Sequence, residues 1–369
     1  MAAPLPIAPL DQALTFARAQ GEARPRLLAI MAYHGDTVSG FDITALAKGP
    51  DDDAIDLFLR LGYDGLRQAI EAAPAAEANV ADLQIPVRLT NLHVAVGTNY
   101  PEHAEESQVQ GTPFLFPKVV EPTGPWATLP AGNGLLDYEV ELCLVPLSPL
   151  APDTPATGGL ILGNDVTDRA MLLRNVDLRD PQSGRGFTSG KSGPGYLPVG
   201  DLFVIPRDLK SFLSDLVLQL SVNGRERQRG PVTDWIWDLD EILRQTFARC
   251  PSSTDLANVV NPQKTTPLKR WTYWGGEARL PFDSEGAIPP RTLIMAGTPA
   301  GTIFNGIGTR DRMQGLLLWL LSGRKGPMPT RVIETYIARA RKQKTYLQPG
   351  DVVSISVPKL GRMITPVGS

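Results

Sequence analysis

The chain has 369 residues, 42% of them hydrophobic and 20% charged, with a formal net charge of −3. That length and mix describe a folded globular protein with a sizeable core, and the charge gives no reason to expect nucleic acid or an anionic membrane as partner. Its apolar runs, Leu316–Leu321 among them, fall far short of the roughly 20 residues that cross a bilayer.

Met1–Leu10 lacks a basic region followed by an apolar core, so no secretory signal is expected there. Residues 10–80 read as mainly helical and Ala-rich, with Leu57, Leu61 and Leu66 in a pattern interrupted by glycines. Residues 1–85 are therefore expected to form a small α-rich N-terminal domain. The pattern changes near Ile85–Pro86. Beyond it come β-like runs at Leu92–Val96, Tyr138–Val145, Leu160–Leu162, Leu202–Ile205, Leu216–Val222, Leu293–Ala296 and Val352–Val357. Asn223–Gly224 after an alternating run signals a hairpin, and Ile236–Phe247 has the spacing of a short helix. The 35 glycines and 34 prolines favour turns and short strands over a helical bundle. Cys143 and Cys250, the only cysteines, have no metal-type spacing and fit a reduced, cytoplasmic setting better than a disulfide framework.

Two stretches look like additions to a compact core. Residues 250–290 are polar and Pro-rich, with aromatics at Trp271, Tyr273 and Trp274. Residues 305–347 hold the Leu316–Leu321 run with Trp319 and then a basic helix-like segment, Thr330–Lys344. In that segment Val332, Ile333, Tyr336, Ile337 and Ala340 share helical spacing, so the basic residues read as a solvated face rather than as a lure for an anionic substrate. The apolar run reads as core or subunit interface, with a pocket lid suited to a bulkier, more apolar acyl group as the other reading.

The most informative segment is Asp137–Tyr138–Glu139–Val140–Glu141–Leu142. As a strand it points Glu139 and Glu141 the same way, roughly 7 Å apart along the backbone. Adjacent ionised carboxylates repel unless a positive charge lies between them, and a hard divalent cation is one such charge. Alone, such a pair more often just faces water. Leu160–Asp165 places a third acid, Asp165, at the end of an apolar run, where a turn or cap residue is the simpler reading. His103 and Glu106 lie three apart, on one face of any helix, so Glu106 can orient the imidazole; Glu105 does not share that face. Gly190–Lys191–Ser192 suggests a phosphate loop, but Arg185 occupies the position where that motif needs its first glycine, which rejects a nucleotide site. His93 alternates within an apolar strand and reads as a hydrogen-bonded, partly buried histidine. His34 has no companion motif.

Taken in order, these segments resemble the fumarylacetoacetate hydrolase superfamily. The resemblance rests on Val96–His103 ("V-G-x-N-Y-x-x-H"), Leu136–Glu141 ("L-D-Y-E-x-E"), Gly163–Val166 ("x-N-D-V"), Gly190–Ser192 ("G-K-S"), Gly297–Gly301 ("G-T-P-A-G") and Leu347–Asp351 ("L-x-P-G-D"). It covers roughly residues 90–369 apart from the two additions. It implies an α+β, β-rich fold, a mixed β-sandwich roll with a small N-terminal domain, in which residues 86–369 form the metal-binding catalytic unit. It implies Mg²⁺ or Mn²⁺ held by Glu139, Glu141 and Asp165, with Ca²⁺ able to stand in for either in a crystal. In members that hydrolyse acylpyruvates a matching His-x-x-Glu on a mobile lid activates water, which gives His103 and Glu106 that role. Lys191 would lie near the metal as a catalytic lysine, and Thr298, Gly297, Lys118 and Tyr100 would bind substrate. A small keto acid as substrate and a homodimer are expected on the same ground.

The sequence departs from the family pattern at Val166–Thr167–Asp168–Arg169–Ala170, where the usual "V-S-A-R-D" loses its final acid and gains one earlier. Gly193–Pro194 replaces the common Phe-Asp, and Asp177–Gly186 is longer than usual. These changes touch the pocket wall and spare the expected ligands. The reaction expected is metal-dependent cleavage of a C–C bond in a β-diketo acid. Its rivals are oxaloacetate decarboxylation or tautomerisation, hydration of a 2-keto-enoic acid, and non-catalytic metabolite binding.

Overall fold

Apolar side chains on both faces of Val140–Val145 bury that strand completely, and an eleven-stranded sheet extends outward from it. The computed structural model describes residues 3–108, 111–132, 134–177, 179–180, 183–251, 271–273 and 276–368. Its first strands are β1 (Ala13–Ala19), β2 (Arg26–Tyr33), β3 (Thr37–Asp42), β4 (Ala75–Asn79) and β5 (Leu83–Gln84). Next come β6 (Leu92–Gly97), β7 (Phe114–Val119), β8 (Leu136–Asp137), β9 (Val140–Val145), β10 (Gly159–Asn164), β11 (Thr167–Asp168) and β12 (Phe203–Pro206). The hairpin β13 (Val217–Val222) and β14 (Arg225–Pro231) follows, then β15 (Trp271–Tyr273), β16 (Gly276–Ala278), β17 (Ile294–Met295), β18 (Val352–Val357) and β19 (Gly361–Pro366). The large sheet runs β4-β3-β2-β1-β12-β10-β9-β17-β6-β7, with β5 on β1; a second sheet runs β14-β13-β18-β19.

The expected α-rich N-terminal domain is corrected. Residues 13–42 and 75–84 are strands, and the main helix of this region is Ala54–Glu71, two helical segments meeting at Gly62 with φ 67°. Antiparallel pairing of β1 with β12, some 190 residues later, joins these strands to the rest of the sheet. The Ala-rich composition misled because alanine fits a strand buried by neighbours from elsewhere in the chain. Leu57 and Leu66 are buried and Leu61 is exposed.

Later expectations hold more closely. Asn223 and Gly224 turn the β13–β14 hairpin with φ 52° and 75°, and a helix spans Leu239–Phe247. The Tyr138–Val145 run is interrupted, since β8 ends at Asp137 and β9 begins at Val140. Leu316–Leu321 is not core: it ends the helix Thr309–Leu321, and Leu317 and Leu321 are 56% and 74% exposed. The helix Met328–Gln343 crosses it where a Cβ on Gly315 would lie 2.6 Å from the Val332 Cα, so only glycine fits. Ile333, Tyr336, Ile337 and Ala340 bury the other helix's inner face against Leu173 and Phe304, and Arg339 pairs with buried Asp311. Trp274 and the side chains of Trp271 and Tyr273 lie outside the described residues. Among the described residues no helix is long and apolar enough to cross a membrane.

Candidate metal centre and its cavity

Register brings the acids together. Antiparallel β9 and β10 pair Glu141 with Gly163 and Val140 with Asn164, so the chain leaving β10 turns back over the start of β9. There the Asp165 N–H donates to the Glu139 carbonyl at 2.9 Å, and Asn164 Oδ1 accepts from the Glu139 N–H at 3.0 Å. One carboxylate oxygen from each of Glu139, Glu141 and Asp165 then lies within 4.8 Å of the others, and all three residues are buried.

Three cations face this cluster. Lys191 Nζ donates to Glu139 Oε2 at 2.5 Å and to Asp165 Oδ2 at 2.7 Å. Lys118, fully buried, donates to Asp165 Oδ1 at 2.6 Å and to the Lys191 carbonyl at 2.5 Å. Arg169 bridges Asp137 at 2.8 Å and Glu139 at 2.6 Å. Burial alone would raise the Glu139 carboxyl, yet Lys191 and then Arg169 outweigh it and hold the group at about 2. Glu141 differs. Among the described residues no Lys or Arg pairs with it, and it accepts only the Gly297 N–H at 2.9 Å. Burial first, then the charges of Asp165 and Glu139, push its carboxyl well above the usual range. Counting Asp137, four acids face three cations, so the cluster lacks positive charge at Glu141.

That donor set fits a hard divalent ion: three convergent carboxylate oxygens, one of them without a counter-charge. Glu139, Glu141 and Asp165 are the residues that could hold it.

Beside the acids, the short helix Pro101–Glu106 carries His103, whose Nδ1 lies 3.3 Å from Glu106 Oε2. Glu106 is in turn fixed by the Gly301 N–H at 3.1 Å. Gly301 adopts φ 106°, and a Cβ there would collide with the Arg227 carbonyl, so the turn requires glycine. Thr298 is buried and its Oγ1 accepts from Gln228 Nε2 at 2.8 Å; Gln228 Oε1 accepts from the Val140 N–H at 3.0 Å. His103, Glu139, Arg169, Lys191 and Thr298 together line one end of a cavity of about 540 Å³.

The structure separates the expected site residues into two groups. His103, Lys191, Thr298 and Glu139 reach the cavity, with Glu106 behind His103. Lys118 sits behind Asp165, Gly297 serves Glu141 through its backbone, and Tyr100 packs against Gly230; none of the three is part of the cavity wall. Arg169, Asp137 and Gln228 adjoin the cluster or Thr298, and neither Arg169 nor Gln228 belongs to any of the six motifs. The signal for Arg169 was present, because clustered buried acids demand cations and it stands four residues after Asp165. His93 is fully buried, with Val120 O and the Leu293 N–H each 3.2 Å from a ring nitrogen, and burial lowers it to about 3. His34 contacts Ser39 at the surface.

The family model for the fumarylacetoacetate (FAA) hydrolase C-terminal region matches residues 92–253. An uncharacterised protein of Pyrococcus horikoshii is 30% identical over 164 residues, which cover 42% of this chain and 69% of that protein. The 2,4-didehydro-3-deoxy-L-rhamnonate hydrolase of Sphingomonas sp. is 30% identical over 194 residues, 47% of this chain and 65% of that enzyme. A mitochondrial oxaloacetate decarboxylase of Dictyostelium discoideum is 26% identical over 189 residues, 48% of this chain and 83% of that one. The solved fumarylacetoacetate hydrolase of Exiguobacterium antarcticum superposes with a TM-score of 0.60 at 20% identity, covering 96% of this chain and 99% of the other, a likeness of fold.

Proposed function

Because the chain belongs to the fumarylacetoacetate hydrolase family, we propose that it is a divalent-metal-dependent hydrolase that cleaves a C–C bond in a β-diketo acid of the acylpyruvate kind. The observation that carries this reading is the buried Glu139–Glu141–Asp165 cluster, whose Glu139 lines the same cavity as His103 and Lys191. Mg²⁺ or Mn²⁺ held there would supply Lewis-acid stabilisation of negative charge on a keto oxygen.

The chain's own groups supply the rest. Glu106 fixes Nδ1 as the protonated nitrogen of His103 and leaves Nε2 to take a proton from water. That water adds to the carbonyl remote from the keto acid, and the adjacent C–C bond breaks. Its electron pair passes to the methylene carbon and the neighbouring keto oxygen, and the proton held at Nε2 returns to that carbon. The products are a carboxylic acid and a 2-keto acid. Lys191 places an ammonium beside the developing charge. Because Gln228 donates to Thr298 Oγ1, the threonine proton is free to be given to a substrate oxygen.

A homodimer belongs to the same reading; the exposed Leu317, Leu318, Leu320 and Leu321 offer a second copy an apolar surface to cover. A second reaction, decarboxylation or tautomerisation of oxaloacetate, is supported by the similarity to the Dictyostelium decarboxylase. A panel of acylpyruvates, 2-keto-enoic acids and oxaloacetate, assayed with Mg²⁺ or Mn²⁺ and again with chelator, tests the choice. Chelator-sensitive release of carboxylic acid from an acylpyruvate is expected. Loss of CO₂ from oxaloacetate with every acylpyruvate left intact would overturn hydrolysis in favour of the second reaction.

A further inference from the structure

The cavity is far larger than its charged end needs. Its 540 Å³ lies within the range of about 300–1,000 Å³ that holds drug-sized ligands, whereas a keto-acid head is a handful of atoms. Beyond His103, Glu139, Lys191 and Thr298 the wall turns apolar, with Leu173, Val176, Leu316, Met328, Val332 and Ile333 prominent in it. Four of these six come from residues 305–347, from the crossing helices Thr309–Leu321 and Met328–Gln343. Leu316 and Met328 stand 42% and 39% exposed at the wall, an arrangement that leaves hydrocarbon in water unless something apolar covers it. Among the described residues the one cation lining that half, Arg312, is engaged by Gln108 Oε1 at 2.8 Å and the Ile307 carbonyl at 2.9 Å.

We propose that the site takes keto acids whose far end is an uncharged hydrocarbon chain, and that these two helices form the specificity-determining wall against which the chain lies. The orientation, head on the charged floor and tail along the helices, rests on the reading of Glu139, Glu141, Asp165 and Lys191 given above. The apolar wall itself does not depend on which reaction follows.

Methyl-ended 2-oxo acids of increasing length have no second carbonyl and cannot be cleaved, so they report binding alone. Calorimetric titration of the full chain with 2-oxobutanoate, 2-oxohexanoate and 2-oxooctanoate, Mn²⁺ present, should show affinity rising up to about fourfold per methylene that reaches the wall. Leu316→Asp and Met328→Asp, both at partly exposed helical positions, should flatten that dependence while far-UV circular dichroism stays native. An affinity that does not grow with length in the natural protein, including no binding at all, overturns the proposal. So does an unchanged slope in both folded variants, or tighter binding of a chain of equal length ending in a carboxylate. The two readings fail separately. A length dependence with no acylpyruvate cleaved keeps the apolar wall and removes the hydrolase; cleavage with no length dependence does the reverse.

Discussion

Two ionic clusters in this molecule, the first partly exposed around a buried Asp53 and the second buried throughout, differ in charge balance. In the first, Asp53 and Asp56 at the start of the helix Ala54–Glu71 meet Arg88 and Arg291. Asp53, fully buried, accepts Arg291 Nη1 at 2.5 Å and the backbone N–H groups of Ile55 and Arg88 at 3.0 and 2.8 Å. Two acids meet two cations, and the cluster ties the N-terminal helix to the turn before β17. In the second, Asp137, Glu139, Glu141 and Asp165 meet Lys118, Lys191 and Arg169. Here one acid has only a backbone donor. Buried charge is costly to desolvate, so a cluster built for stability closes its account. A cluster left short of positive charge, with Glu139 at a cavity wall, is a candidate for something that arrives later. Closure therefore separates the balanced cluster from the candidate site.

The sharpest way to break that comparison is Glu141→Gln, which keeps the shape and the acceptor for the Gly297 N–H but removes the carboxyl that no Lys or Arg pairs with among the described residues. Altering residues that merely support metal ligands costs about 10–100-fold in affinity, so losing a ligand should cost more than about 100-fold for Mn²⁺ by calorimetry, with cleavage lost alongside. Thermal stability without metal should hold or rise, because no ion pair is sacrificed. A marked fall in that metal-free stability would mean that Glu141 is as structural as Asp53. His103→Ala should next lower cleavage by about 10²–10⁴-fold, the usual share of a positioned acid–base group, with Mn²⁺ affinity retained. Loss of both together would place His103 among the ligands instead.

What the sequence disclosed follows from the reach of local periodicity. Alternation singled out Glu139 and Glu141, although Glu139 itself lies in the break between β8 and β9, and helical spacing set His103 over Glu106 at 3.3 Å. Both are short-range facts. The strands of residues 13–42 are not, because β1 is fixed by β12 and the Ala-rich segment alone reads as helix. Depth is not local either. Lys118 and Gly297 were both expected at the site, yet one stands behind Asp165 and the other behind Glu141, and only the folded sheet decides which residue meets the cavity. Arg169 lay within a stretch whose departures from family pattern drew the eye to Asp168 and Ala170. Asp168 proves to be the cap of the helix Arg169–Asn175, accepting from the Ala170 and Met171 N–H groups.

The balanced cluster should respond in the opposite sense to the open one. Asp53→Ala leaves Arg291 facing Asp56 alone, removes the helix cap and strips the Arg88 N–H of its acceptor. Breaking one partner of a buried pair costs about 3–5 kcal/mol, and the partial exposure of Arg291 places the loss near the lower figure. Denaturant unfolding should register it, while Mn²⁺ affinity and the turnover of folded protein stay within about twofold of the natural chain, because no group of this cluster touches the cavity. A metal affinity that fell with stability would show the two clusters to be coupled.

The smallest expected effect tests where the apolar wall ends. Trp319 lies on the same helix as Leu316 but does not line the cavity; its indole N–H donates to the Gly326 carbonyl at 2.9 Å, and Arg324 stacks over its ring. Its position ties the end of the helix Thr309–Leu321 to the turn that leads into Met328–Gln343. Trp319→Ala should therefore cost about 1 kcal/mol of stability, the worth of one partly exposed hydrogen bond and its stacking. It should alter kcat/KM for short-chain and long-chain acylpyruvates by the same factor, unlike Leu316→Asp. Three residues along a helix correspond to about 300° of rotation, so Leu316 and Trp319 are near neighbours on its surface, and a loss confined to long chains would extend the wall past Leu316 to the indole. An equal effect confines the wall to Leu316 and the face of Met328–Gln343 beneath it.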